Sequence, residues 1–121
     1  MKIEKIEKKI LELKGFAVDW IEDALKARTR ILMYREEYDL ILMDLGLPGM
    51  NGMALTTSLR EEGVKTPIII VTGDSETASK IALLNSGAED YVVKPFSSEE
   101  LVARINSVLR RPVTMQPVVY A

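Results

Sequence analysis

The sequence has no cysteine and no histidine. The first absence removes disulfides, thiol nucleophiles and thiolate metal sites. The second removes imidazole ligands, histidine-based triads and any phosphohistidine relay within the chain. Long apolar runs are missing too: the longest are about four to six residues, against roughly 20 for a membrane-spanning helix. Met1-Lys2-Ile3-Glu4 opens a mixed-charge segment rather than the apolar core of a signal peptide, so a cytoplasmic protein without a membrane partner is expected. Neither sign of charge dominates, with 16 basic and 18 acidic residues and a net charge of -2. That balance gives no electrostatic case for nucleic-acid or anionic-membrane binding by this segment. No glycine-rich phosphate loop follows an apolar run, which removes support for a dinucleotide-binding or flavodoxin-type enzyme.

What is present is enough apolar material for one domain: 121 residues, 47% of them hydrophobic. Ile3, Ile6, Ile10 and Leu13 recur at helical spacing among lysines and glutamates, and Gly15 ends that helix. Phe16 to Ile21 reads as a strand, and Asp23 caps a helix predicted to run to about Glu36. Leu40-Ile41-Leu42-Met43 and Ile68-Ile69-Ile70-Val71 are unbroken apolar runs of the kind that suits strands covered on both faces. Between them a helix starts near Asn51 and stops at Gly63. A helix over Ser75 to Ser86 closes at Gly87, Tyr91-Val92-Val93 is another short strand, and Ser97 with Glu100 forms a capping box for the last helix. The alternation predicts a doubly wound parallel α/β sheet with helices on both faces. Met33, Met43, Met50 and Met53 are expected to fill the core. Asp19, Glu22 and Asp23 read as a solvated loop and helix cap.

In open parallel sheets, reactive groups gather beyond the carboxyl ends of the strands. Asp44, Thr72 and Lys94 each stand at or just past such an end. A carboxylate, a hydroxyl and an ammonium on one rim suit a phosphoryl group: the carboxylate as nucleophile, the other two meeting the charge on its oxygens.

These residues stand in text that resembles the response-regulator receiver (CheY-like) family. The matching stretches are Tyr38-Asp39-Leu40-Ile41-Leu42-Met43-Asp44-Leu45-Gly46-Leu47-Pro48-Gly49-Met50-Asn51-Gly52, Pro67 through Gly73, and Gly87-Ala88-Glu89-Asp90-Tyr91-Val92-Val93-Lys94-Pro95-Phe96. The resemblance implies a flavodoxin-like fold and a switch rather than an enzyme. It implies that Asp44 is the phosphoacceptor, Thr72 the switch hydroxyl, Lys94 the phosphate-pairing lysine and Tyr91 the rotating aromatic, with a cis bond at Lys94-Pro95. Its upstream partner would be a sensor histidine kinase. The final helix looks like the OmpR-type winged-helix subfamily. There Lys80, Glu89, Asp90, Glu100, Arg104 and Arg111 would bridge two receivers, giving a homodimer through the Lys80/Tyr91/Arg104 face. Residues 1–111 would then be the receiver and 112–121 the start of a linker, with DNA reached only through a C-terminal domain outside these 121 residues.

One part of the family pattern is missing. The family's first strand ends in two adjacent acids that hold Mg²⁺; here the text starts at the following helix. Asp44 and the carbonyl of Gly46 remain as ligands, so Mg²⁺ is expected to bind weakly or not at all and phosphorylation to be impaired. The alternative is a phosphorylation-independent, degenerate receiver acting as a dimerisation module, or a truncated fragment without function. The absent strand would lie between those at Phe16 and Leu40. Direct pairing of these two, insertion of Val118-Val119-Tyr120, or a strand from a second chain would each close the gap.

Overall fold

The computed structural model describes residues 2–45, 49–73, 81–82, 84–109 and 117–120. The first helix, α1 (Lys2–Leu13), ends where Gly15 takes φ +99° and Phe16 N–H donates to the Leu11 carbonyl. Strand β1 (Ala17–Trp20) follows, then α2 (Ala24–Met33). Asp23 caps α2 by accepting from the N–H groups of Leu25 and Lys26. The α-helix is shorter than its sequence suggested: after Met33 the chain tightens into a 3₁₀ turn, Arg35–Glu37. Then come β2 (Leu40–Asp44), α3 (Gly52–Glu61) with Asn51 as its cap, and β3 (Ile68–Thr72). Of the helix expected over 75–86, only residues 81–82 and 84–86 lie within the described set; 81–82 and 84–85 are helical and Ser86 is in the turn that follows. The chain continues with β4 (Asp90–Val93), α4 (Ser98–Leu109) and β5 (Pro117–Tyr120). Ser97 Oγ accepts from Glu100 N–H, while the Glu100 carboxylate turns to Arg104 instead of completing the capping box.

All five strands form one parallel sheet in the order β1-β5-β2-β3-β4. Of the three ways to close the gap, the second holds. Val118 lies between Val18 and Leu40, Val119 between Asp19 and Ile41, and Tyr120 between Trp20 and Leu42. This corrects the expectation for residues 112–121: residues 117–120 are the middle of the sheet, not the start of a linker. The physical reason is that an open slot exposes two rows of unpaired backbone groups and two apolar walls. A short apolar strand satisfies both. Proline at the first position costs little there.

Alternation along the strands sends side chains to two cores. Leu40, Leu42, Ile69, Val71, Val118 and Tyr120 pack with Leu11 of α1 and Leu101 and Ile105 of α4. Ile41, Met43, Ile68, Ile70 and Val119 pack with Ala24, Ala27 and Ile31 of α2 and Leu55 and Leu59 of α3. Met43 is fully buried, and Met50 and Met53 pack at the edge of that core. Met33 is not a core residue. It is 66% exposed, because it stands two positions, about 200°, round the helix from buried Ile31.

Arg60 ties the lower edge of the sheet together. Its guanidinium donates to the carbonyls of Gly87, Val64 and Thr66 at 2.8–3.0 Å and to Glu89 Oε1 at 2.9 Å. The same Glu89 oxygen accepts from Ile68 N–H at 2.8 Å. Replacing Arg60 by Met leaves three carbonyls and a carboxylate without their shared donor, so a loss of about 2–3 kcal/mol is expected. Urea unfolding measures it; a loss below about 0.5 kcal/mol would mean that water takes over the guanidinium's role.

Candidate functional site

Three adjacent strands deliver the site. Asp44 is the last residue of β2 and Thr72 the last of β3, while Lys94 follows directly on Val93, the last of β4. The register pairs Asp44 with Val71 and Thr72 with Val93, so all three residues share the carboxyl rim. Lys94 Nζ lies 2.9 Å from Asp44 Oδ2, and the Lys94 N–H donates to the Thr72 carbonyl at 2.7 Å. The Thr72 side chain is buried. Asp44 is 14% and Lys94 32% exposed, so the ion pair is partly sheltered yet open to an incoming group. The Lys94-Pro95 bond is cis, as the resemblance implied.

The backbone behind Asp44 is held by a close approach. A Cβ on Gly52 would lie 2.9 Å from Leu45 Cδ2 and 3.0 Å from both the Asp44 carbonyl oxygen and Leu45 Cα. Only glycine lets the first turn of α3 press against the Asp44–Leu45 turn without moving it. Leu45 N–H donates to the Val71 carbonyl, which fixes the turn from the other side.

Of the two expected magnesium ligands, the structure describes Asp44 alone. Among the described residues, no group of three His, Cys, Asp or Glu side chains could hold a metal ion. The strand in the place of the family's acid-bearing one supplies Val118, Val119 and Tyr120, all buried. The acidic cluster does not substitute. Asp23 caps α2, and Asp19 accepts from the Tyr38 hydroxyl and lies 3.5 Å from Arg30 NH1. Burial, with the hydrogen bond to Asp19 next, pushes the Tyr38 hydroxyl up to about 12. Gly46, the other expected ligand, lies outside the described residues.

The residues expected to bridge two chains divide into two groups. Lys80 and Arg111 lie outside the described residues. Asp90 and Glu100 both meet Arg104 within this one chain: Arg104 NH1 lies 3.1 Å from each Asp90 oxygen, and its Nε lies 3.3 Å from Glu100. The hydrogen bond to Asp90 raises the Arg104 pKa. Glu89 is engaged by Arg60 and Ile68. Tyr91 is half-buried against the core on the α2/α3 side. Sequence reasoning missed Arg60, whose acceptors Gly87 and Glu89 are distant in sequence, and the Tyr38–Asp19–Arg30 cluster, which draws on three separate segments. Trp20 also gains a role: its ring lies 4.8 Å from that of Tyr120, centroid to centroid, so its emission reports on β5.

The profile of the family described as "Response regulator receiver domain" matches residues 2–106. The two-component response regulator PhoP of Pseudomonas aeruginosa is 47% identical over 98 residues, covering 81% of this chain and 43% of that protein. The transcriptional regulatory protein TctD of Salmonella typhimurium is 42% identical over 103 residues, covering 85% of this chain and 45% of that protein. The chain thus spans less than half the length of these curated relatives. Among solved structures, the receiver domain of a Francisella response regulator superposes with a TM-score of 0.84 at 34% identity, covering 91% of this chain and 89% of that one.

Proposed function

The chain belongs to the response regulator receiver domain family of two-component systems, and from that premise we propose that Asp44 accepts a phosphoryl group from a sensor histidine kinase. The observation that carries this reading is the Asp44–Lys94 pair at 2.9 Å on the carboxyl rim, beside Thr72. An Asp44 carboxylate oxygen attacks phosphorus, the P–N bond to the kinase histidine breaks, and an acyl phosphate forms. Lys94 then shifts from the carboxylate to the new phosphoryl oxygens, and the Thr72 hydroxyl donates to them. Residues 1–111 together with β5 make up the receiver. Output runs through self-association on the face of Tyr91, Asp90, Glu100 and Arg104, with Arg104 exchanging its in-chain partners for those of a second copy. Any DNA-binding activity belongs to a further domain joined to it.

Among the described residues no acid pair stands beside Asp44, and on this reading little of the charge on the transferring group is neutralised by metal. Labelling by acetyl phosphate is therefore expected to be on the order of a hundredfold slower than in a receiver with the acid pair. The label is expected to be hydroxylamine-labile and absent in Asp44→Asn. Labelling that persists in Asp44→Asn would show that another residue takes the phosphate. The lack of a metal-binding group among the described residues favours a second reading, a receiver that dimerises without phosphate. In that case sedimentation gives the same dimer for Asp44→Asn as for the unaltered chain.

A further inference from the structure

The central strand is the last described segment of the chain, and only residues 110–116 connect it to α4. Its hold on the sheet comes from main-chain pairing with β1 and β2 and from burial of Val118, Val119 and Tyr120. None of these interactions depends on which chain supplies the strand. A molecule whose β5 has left its slot exposes two facing strand edges between walls made by Phe16, Leu40, Leu42 and Ile41. Such a slot accepts an extended apolar strand in parallel register, and the best-matched one in solution is the same strand of another copy.

We propose that two copies of this chain exchange β5, each holding the other's Pro117–Tyr120 between its own β1 and β2. The reach is adequate. Seven connecting residues span up to roughly 25 Å when extended, close to twice the radius of gyration of about 14 Å expected for a domain of this length. The exchanged dimer keeps every strand pair of the closed form, so concentration and the connecting segment decide between them. The competing in-chain strand acts at an effective concentration in the millimolar range, as short connections do. Exchange therefore becomes prominent when chains are annealed near about 1 mM.

The test uses the absence of native cysteine. Val18 and Val118 are register partners facing the same core, and neighbouring strands lie about 4.8 Å apart, within reach of a disulfide. V18C chains are mixed with V118C chains, warmed to the foot of the unfolding transition, cooled and oxidised. A disulfide between the two variants requires a strand of one chain in the sheet of the other. Its ratio to monomer is expected to rise roughly tenfold for a tenfold rise in concentration. The yield should be unchanged when both variants also carry Asp44→Asn, which separates this dimer from the phosphate-dependent one. If the inter-variant product stays absent while the V18C/V118C double variant closes within its own chain, the proposal is overturned. The unmodified chain gives a second reading that needs no folded variant. Annealed near about 1 mM and then diluted, it should retain a dimer for hours, because release requires pulling a central strand. Sedimentation as monomer alone would equally overturn the exchange.

Discussion

A chain stopped after residue 116 is expected to be unfolded at room temperature. Val118, Val119 and Tyr120 are each at most 2% exposed, and burying side chains of this size stabilises by about 1.5–3 kcal/mol apiece. The three together contribute roughly 5–9 kcal/mol, comparable with the whole net stability of a domain this size. The truncation also opens the ladders to β1 and β2 at once, leaving backbone groups unpaired in the middle of the sheet. Direct pairing of β1 with β2 is the remaining way to close the gap. It would bring together strands that lie two places apart and draw Phe16 and Val18 away from the core shared with α1 and α4. Far-UV circular dichroism and Trp20 emission check the outcome, since Trp20 loses its contact with Tyr120. Cooperative melting of the shortened chain would mean that the neighbours do pair and that β5 is dispensable. The milder Val119→Ala is expected to keep the fold and lower its stability by about 1–3 kcal/mol.

How much of this was legible in the sequence depends on how local the signal was. Leu40–Met43 and Ile68–Val71 announced central parallel strands because both faces had to be apolar, and both are buried throughout. Asp44, Thr72 and Lys94 could be placed on one rim because strand ends in a parallel sheet all point the same way. Their convergence followed from topology before any distance was known. Val118-Val119-Tyr120 carried no comparable signal. Three apolar residues after two prolines fit a linker as well as a strand, and their location is decided by a vacancy between strands about 80 and 100 positions earlier. The same non-locality hid Arg60, whose acceptors come from 64, 66, 87 and 89. Met33 was a different matter. The stripe of Ala24, Ala27 and Ile31 points the other way, so helical periodicity puts Met33 on the solvent face whatever its apolar character.

Lengthening the chain by two aspartates after Ala121 is expected to create a Mg²⁺ site. Tyr120 is in register with Leu42, so a strand continued in that register brings its second added position just past the level of Asp44, which lies two residues beyond Leu42. Acids there stand beside the existing carboxylate on the same rim. Mg²⁺ binds through one or two carboxylates and retains several waters, so such a donor set suffices. Without the ion the added charges repel Asp44 and are only partly offset by Lys94, so the metal-free chain should be somewhat less stable. With it, stability rises by RT ln(1 + [Mg²⁺]/Kd), about 2.7 kcal/mol at a hundredfold excess over Kd. Melting with and without Mg²⁺ reads this directly. Acetyl phosphate labelling of Asp44 should become Mg²⁺-dependent and at least roughly tenfold faster, a barrier change of about 1.4 kcal/mol. A chain lengthened by two asparagines is the control, with equal length and no added charge. If the aspartate and asparagine chains melt alike and label alike in Mg²⁺, β5 does not stand in for the family's acid-bearing strand at the chemical end of the sheet.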